Sequence, residues 1–298
     1  MKIQRKNGNI SVMDEIIKAI SKNKYVKISV ITAKEVTERA RNIHNSTPVI
    51  TAALGRLLSI SSMIGSDMKK PDASLTVRIN GGGPAGTLIV VTDSSGNPRC
   101  FVQNPRVDIP KNAKAKLDVG GAVGKDGTLT VIRDLRSKSP YTGTIKLYSG
   151  EIAEDFAVYF AESEQIPTVC ALGVLVDRDG SVLAAGGYVA SLLPKAPDSV
   201  IEQLEKNVAK TGVVTEILKK EQGIDLLMES VMDGFKPRIL SRQSIEYRCT
   251  CSRERFLSAI HSLSPRELED MQTKGEPIET SCQFCDAVHN FELSEIFG

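Results

Sequence analysis

Four of the six cysteines fall in the last fifth of the chain, as Cys249-Thr250-Cys251 and Cys282-Gln283-Phe284-Cys285, with thirty residues, 252–281, between the pairs. A C-x-C and a C-x-x-C at this separation suit a tetrahedral four-cysteine zinc site in which each pair supplies two corners. The same pairs could instead close into two short disulfides if an oxidant arrived. This choice constrains the fold more than any other feature, because metal binding in a small module is also its folding energy. Chemistry that ejected the metal would unfold the module.

The remaining sequence sets the context for that choice. At 298 residues, 41% apolar and 25% charged, the chain has the length for two domains and the composition of an ordinary globular protein. No run is expected to reach the eighteen or so apolar residues of a membrane span. The opening stretch, MKIQRKNGNISVMDE, has lysines but no apolar stretch of signal-peptide length, so a cytoplasmic location and no membrane are expected. Static disulfide frameworks are rare in that compartment, and clustered cysteines there point to metal or redox chemistry. Net charge is only +2, and from residue 241 onward six Lys/Arg against ten Asp/Glu give −4, leaving +6 for the rest. An acidic tail is a poor phosphate grip, so a nucleic-acid partner is not indicated.

The pattern reads as α+β, a mixed, mostly antiparallel sheet body with helices. Residues 24–33 (KYVKISVITA) form a strand, about 33–45 a helix, and 47–65 (TPVITAALGRLLSISSMIG) a helix apolar nearly all round and therefore buried. Strands follow at 74–80 and 87–93 around a glycine-rich turn, then at RCFVQNP, GTLTVIRDL and YTGTIKLYS. Residues 150–165 form an amphipathic helix with Ile152, Phe156, Tyr159 and Phe160 on one face and solvent-facing acids Glu151, Glu154 and Asp155 in its first turns. VCALGVLVD and SVLAAGGYVAS pair as a hairpin.

The body is expected over 1–194. A helical linker over 195–240 follows, with Asp198 as an N-cap. Its short helices carry the apolar stripes Val200, Ile201, Leu204, Val208 and Ile224, Leu227, Met228, Met232. Helices this short are marginal alone and must lie on something. The small C-terminal zinc-binding module spans 241–298. Within it SRERFLSAIHSL is one helix, Ser264-Pro265-Arg266-Glu267 opens another with a capping box, and 278–293 resembles a zinc knuckle. Arg248, Arg253 and Arg255 flank the first cysteine pair, where they could offset thiolate charge and favour the form that oxidants attack. His289 is an alternative fourth ligand, or a strand residue beside a filled site. Cys100 and Cys170 read as buried small hydrophobes.

Gly81–Gly86 satisfies G-x-G-x-x-G literally, but it runs into a strand rather than a helix and is read as a hairpin turn. With three histidines, no P-loop and no Ser/His/Asp set, an enzyme is not expected.

The tail, together with TPVITAALGRLL (47–58), the strand ending at Asp93, GEIAEDFAVYFAESEQIPT (150–168), AAGGY (184–188) and LLP (192–194), resembles the redox-regulated thirty-three-kilodalton heat-shock chaperone family over nearly the whole chain. The resemblance implies an ATP-independent holdase of the oxidative-stress response, inactive when reduced with one Zn²⁺ on Cys249, Cys251, Cys282 and Cys285. It implies that oxidation forms the disulfides Cys249–Cys251 and Cys282–Cys285, releases zinc and unfolds the tail and linker. Apolar surface, with the two linker stripes as candidates, would then bind unfolded client proteins, and the active form would be a homodimer. The alternative is a redox-inert zinc ribbon that binds nucleic acid or a ribosomal partner.

Overall fold

In the computed structural model, which describes residues 4–6, 9–11 and 13–298, the chain opens with a short antiparallel pair, β1 (Gln4–Lys6) and β2 (Asn9–Ser11). β3 (Glu15–Ile20) and β4 (Val26–Thr32) then pair antiparallel, followed by α1 (Lys34–His44) and α2 (Pro48–Gly65). β5 (Ser74–Asn80), β6 (Leu88–Asp93), β7 (Pro98–Val102), a short α3 (Val119–Val123), β8 (Thr128–Asp134) and β9 (Tyr141–Lys146) come next. α4 (Ala153–Glu162) leads to the hairpin of β10 (Thr168–Val176) and β11 (Val182–Leu192). Three helices, α5 (Asp198–Thr211), α6 (Val214–Leu218) and α7 (Gly223–Val231), precede β12 (Arg238–Ser244). These elements make two five-stranded antiparallel sheets, ordered β10-β11-β4-β3-β12 and β7-β6-β5-β8-β9.

Period-two alternation assigns each side of the first sheet to a different core. Ile16 and Ile31, opposed across β3 and β4, face the larger core with α2 and the second sheet. Their neighbours Ile17 and Val30, and Ala19 and Ile28, face the other way into a second core capped by α5–α7. Burial on both faces explains why neighbouring residues, Ile16 and Ile17 in β3 and Val30 and Ile31 in β4, are both apolar. α2 has the length and composition of a membrane span, contrary to expectation, but 89% of it is buried, making it the core helix. Gly186 (φ +144°) sits where β11 meets β4, and a Cβ there would overlap the carbonyl of Ile31, which accounts for the AAGGY stretch.

Three local readings meet the structure here, and two are corrected. Asp155 does not face solvent: it is fully buried, and its carboxylate accepts from the N–H groups of Tyr148, Ser149, Gly150 and Ile152. Glu151 is also engaged, with Arg56 and the Gly120 N–H, so only Glu154 of the three acids is exposed. Asp198 is the first residue of α5, not its cap; Pro197 precedes it and no side chain caps that end. Gly81–Gly86 does join two strands, β5 and β6, as the turn reading required.

Residues 248–298 form a compact unit separate from 1–247. It contains α8 (Arg253–His261), α9 (Pro265–Lys274), the hairpin of β13 (Ile278–Ser281) and β14 (Val288–Phe291), and α10 (Leu293–Phe297). Ser264 and Glu267 form the expected capping box at α9, and Gly275 ends it in a left-handed conformation.

Candidate metal centre

The residues that deliver the second cysteine pair form a tight turn at the β13–β14 tip. Cys282 N–H donates to Ala287 O at 2.9 Å, and Cys282 O accepts from Cys285 N–H and Asp286 N–H at 3.3 and 3.0 Å. Asp286 takes the left-handed conformation (φ +59°) that lets the chain turn back into β14. Cys249 and Cys251 come from the extended segment before α8, whose N-cap Ser252 accepts from Arg255 N–H.

All four Sγ atoms lie within 4.8 Å of one another, with Cys249 and Cys282 3.8 Å apart and Cys251 and Cys285 3.3 Å apart. A tetrahedron with metal–sulfur bonds of about 2.3 Å has S···S edges of about 3.8 Å, so the donor set fits one zinc ion. A disulfide needs about 2.05 Å, and all six cysteines of the chain are free thiols. Each cysteine of the first pair approaches one of the second, so the two segments meet at the sulfurs, as a shared cation requires.

The electrostatics are those of a set that takes a cation. Burial raises the Cys282 thiol, but the Phe284 N–H and the other three sulfurs outweigh it, leaving Cys282 below the usual thiol range. Burial pushes Cys251 and Cys285 up, and sulfur neighbours add to the effect. Crowded sulfurs thus act on one another in opposite directions, and a divalent cation among them would favour the thiolate form of all four. The arginines supply less of that offset than their positions suggest. Arg253 is held by Glu295 at 2.8 Å and lies 4.4 Å from the Phe291 ring centre, while Arg255 bonds Thr250 O at 2.7 Å. His289 sits in β14 against the Phe256 ring and is not part of the thiol cluster.

This unit has little else to hold it. Apart from Cys282, its buried apolar residues are Ile260, Phe291 and Ile296, with partly buried neighbours such as Phe256 and Leu263. Its charge is −4, from five Lys/Arg and nine Asp/Glu over 248–298.

In the larger unit, the linker stripes are covered. Val200, Leu204, Ile224, Leu227, Met228 and Met232 are buried in the second core, while Ile201 and Val208 are partly buried. Cys100 is fully buried and Cys170 partly so, and burial pushes both thiols up to about 12, away from the thiolate character of a sensor.

One arrangement had no sequence signal. The Tyr247 hydroxyl, two residues before the first ligand, accepts from Cys100 N–H at 3.1 Å and donates to Cys100 O at 3.4 Å. His44 Nε2 also donates to that carbonyl, at 3.0 Å. Tyr247 reads as an ordinary residue in sequence, since its partners, the Cys100 backbone and, at 3.9 Å, the Cys100 sulfur, are about 147 residues away.

The profile of the Hsp33 protein family matches residues 14–292. The "33 kDa chaperonin" of Agathobacter rectalis is 42% identical over 283 residues, covering 95% of this chain and 98% of that one. That of Clostridioides difficile is 41% identical, covering 95% and 97%. The crystal structure of the 33 kDa chaperonin (heat shock protein 33 homolog) of Thermotoga maritima superposes with a TM-score of 0.88 at 34% identity, over 96% of this chain and 97% of that one.

Proposed function

This chain belongs to the Hsp33 family of chaperones, and we propose that it is an ATP-independent holdase switched by oxidation of its cysteine centre. The observation that carries this reading is the convergence of four thiols in a unit with only three other buried apolar side chains. Zinc, when bound, would tie the Cys249/Cys251 segment to the β13–β14 turn and supply about 10–16 kcal/mol of apparent folding energy. A whole domain is stable by only about 5–15 kcal/mol, so the unit has no reserve that could replace it.

Oxidation removes two electrons from each cysteine pair. Cys249 joins Cys251 and Cys282 joins Cys285; from four thiolates, two equivalents of peroxide and four protons are consumed, and four waters and the metal leave. A disulfide between residues two apart closes a small ring, and strained bridges are the more reducible ones, which suits a reversible sensor. Roles then divide as body 1–194, linker 195–240 and switch 241–298. Unfolding of the switch and the linker frees Val200, Ile201, Leu204, Val208, Ile224, Leu227, Met228 and Met232 for unfolded clients. The active species is a cytoplasmic homodimer without enzymatic activity. The −4 charge of residues 248–298 disfavours the alternative of a zinc ribbon on nucleic acid.

The test treats zinc-loaded protein with peroxide under mild warmth while zinc release and suppression of client aggregation are followed together. Coupled release and suppression is the expected result. Zinc that stays bound disproves the switch, and release without suppression disproves the holdase.

A further inference from the structure

β12 closes the edge of the first sheet against β3, but it does so almost without side chains. None of its seven side chains is buried, and Ile239 and Leu240 are 46% and 47% exposed. Beneath it, β3 is fully built: Ile16, Ile17 and Ala19 are completely buried and Lys18 nearly so. The ladder tolerates a register break between Ile239 and Ser241. Its few side-chain anchors sit at the C-terminal half, where Arg242 reaches Glu15 and Asp225, and Gln243 Nε2 reaches Ser95 O at 2.8 Å. The seat thus accepts an extended backbone and reads little of its sequence.

β12 spans the boundary between the segments assigned to the linker and the switch, and its two flanks lie one in each. On one side it follows α5–α7. On the other it continues through Ile245, Glu246 and Tyr247, which bond Asp14 O, Asn97 Oδ1 and Cys100, directly into Cys249. If both flanks loosen, seven residues of backbone ladder remain, and their loss leaves β3 with a row of unpaired N–H and C=O groups beside a finished apolar core.

We infer that the edge of β3, once β12 has left it, receives an extended segment of an unfolded client polypeptide as a replacement strand of the sheet. β12 itself shows the chemistry of the occupant: about seven extended residues without proline, bound through the main chain and free to vary in side chain. Unfolded chains carry such segments in nearly every sequence, so this seat supplies affinity without selectivity. The inference rests on the oxidation-driven release described above.

The test uses full-length protein, oxidised with peroxide, and reduced carboxymethylated α-lactalbumin as a permanently unfolded client. Hydrogen exchange of residues 14–21 is expected to accelerate about tenfold or more on oxidation and to slow again with excess client. A peptide of residues 238–245 should compete with the client. Two versions of it, N-methylated at odd or at even positions within 241–245, past the register break, should differ, because only one phase of an antiparallel strand donates toward β3. Residues 14–21 that stay protected while aggregation is suppressed overturn this inference and leave the holdase standing. Equal competition by both methylated peptides also overturns it, since side chains would then carry the binding. Protection that returns with protein concentration and not with client assigns the edge to a second copy and rejects the client. An oxidised protein that neither deprotects nor suppresses aggregation rejects both readings.

Discussion

Replacing Tyr247 by Phe removes one oxygen from the segment that enters the cysteine centre and leaves the ring in place. The hydroxyl has two backbone partners, and their losses differ. Cys100 O keeps a donor after the change, because a carbonyl can only accept and His44 must therefore hold its proton on Nε2. Cys100 N–H loses the acceptor that the hydroxyl supplies, and the cost of leaving one such donor unpaired is about 1–3 kcal/mol. Tyr247 is half-buried, so water repairs part of the loss, and about 1–2 kcal/mol is expected. That corresponds to a roughly 5–30-fold larger population with residues 245–247 detached. Hydrogen exchange of the Cys100 and 245–247 amides in reduced, zinc-loaded protein measures this directly. Under peroxide the variant should also activate faster or at lower temperature. Unchanged exchange in Tyr247→Phe would refute the idea that this hydroxyl restrains the entry to the switch.

Cys282→Ser should retain zinc poorly and leave residues 248–298 protease-sensitive even when reduced; a folded, zinc-retaining variant would contradict the four-ligand assignment. A chelator should melt that same unit and spare residues 1–247, visible as loss of one exchange-protected region with the other intact. In Asp155→Asn the oxygen can still serve Tyr148, Ser149 and Gly150, but the amide opposes Ile152 N–H, and chemical denaturation should report a loss of about 1.5–3 kcal/mol. Asp14 is buried, and burial outweighs the Val36 and Lys34 N–H bonds to raise its pKa to about 7 from 3.8. A proton is thus bound more tightly in the folded state, so its contribution is fully present below about pH 4 and is lost as pH rises through 7. The loss is on the order of 4 kcal/mol, and the wild-type profile minus that of Asp14→Asn over about pH 4–8 measures it; a flat difference refutes the assignment.

What the sequence discloses depends on whether the signal is local. The cysteine spacing, the α9 capping box and the buried α2 each rest on a few adjacent residues, and each appears in the structure as expected. Asp155 escapes such a reading because an acid in a first helical turn has a ready solvent-facing explanation. The four amides that bury it belong to the turn before α4 and gain that meaning only when Ile152 adopts φ +70°. The seat of β12 is illegible for a different reason. RILSRQS has neither strong alternation nor a buried face, so only the free edge of β3, about 220 residues away, makes it a strand. Tyr247 is invisible because its main partners are the backbone groups of a residue 147 positions away, which leave no pattern in sequence.

The three apolar clusters suggest why an opening begun at the cysteines can stop. The tail unit buries three apolar side chains besides Cys282, and α5–α7 with one side of the first sheet bury sixteen. The cluster built on α2 and both sheets buries thirty-eight. Each fully buried Val, Leu, Ile, Phe or Met contributes roughly 1.5–3 kcal/mol against its ordering cost, and alanines less, so resistance to opening rises steeply along this series. On the proposed switch, removing the metal would act where resistance is smallest, and the helical cover would come next, because its helices are too short to persist once detached. The α2 cluster draws no residue from α5–α7, and its only members beyond β11 are Ile245 and Tyr247. Losing the cover therefore leaves it essentially whole. On that reading the opening would stop along β3, where a finished core ends in a strand edge.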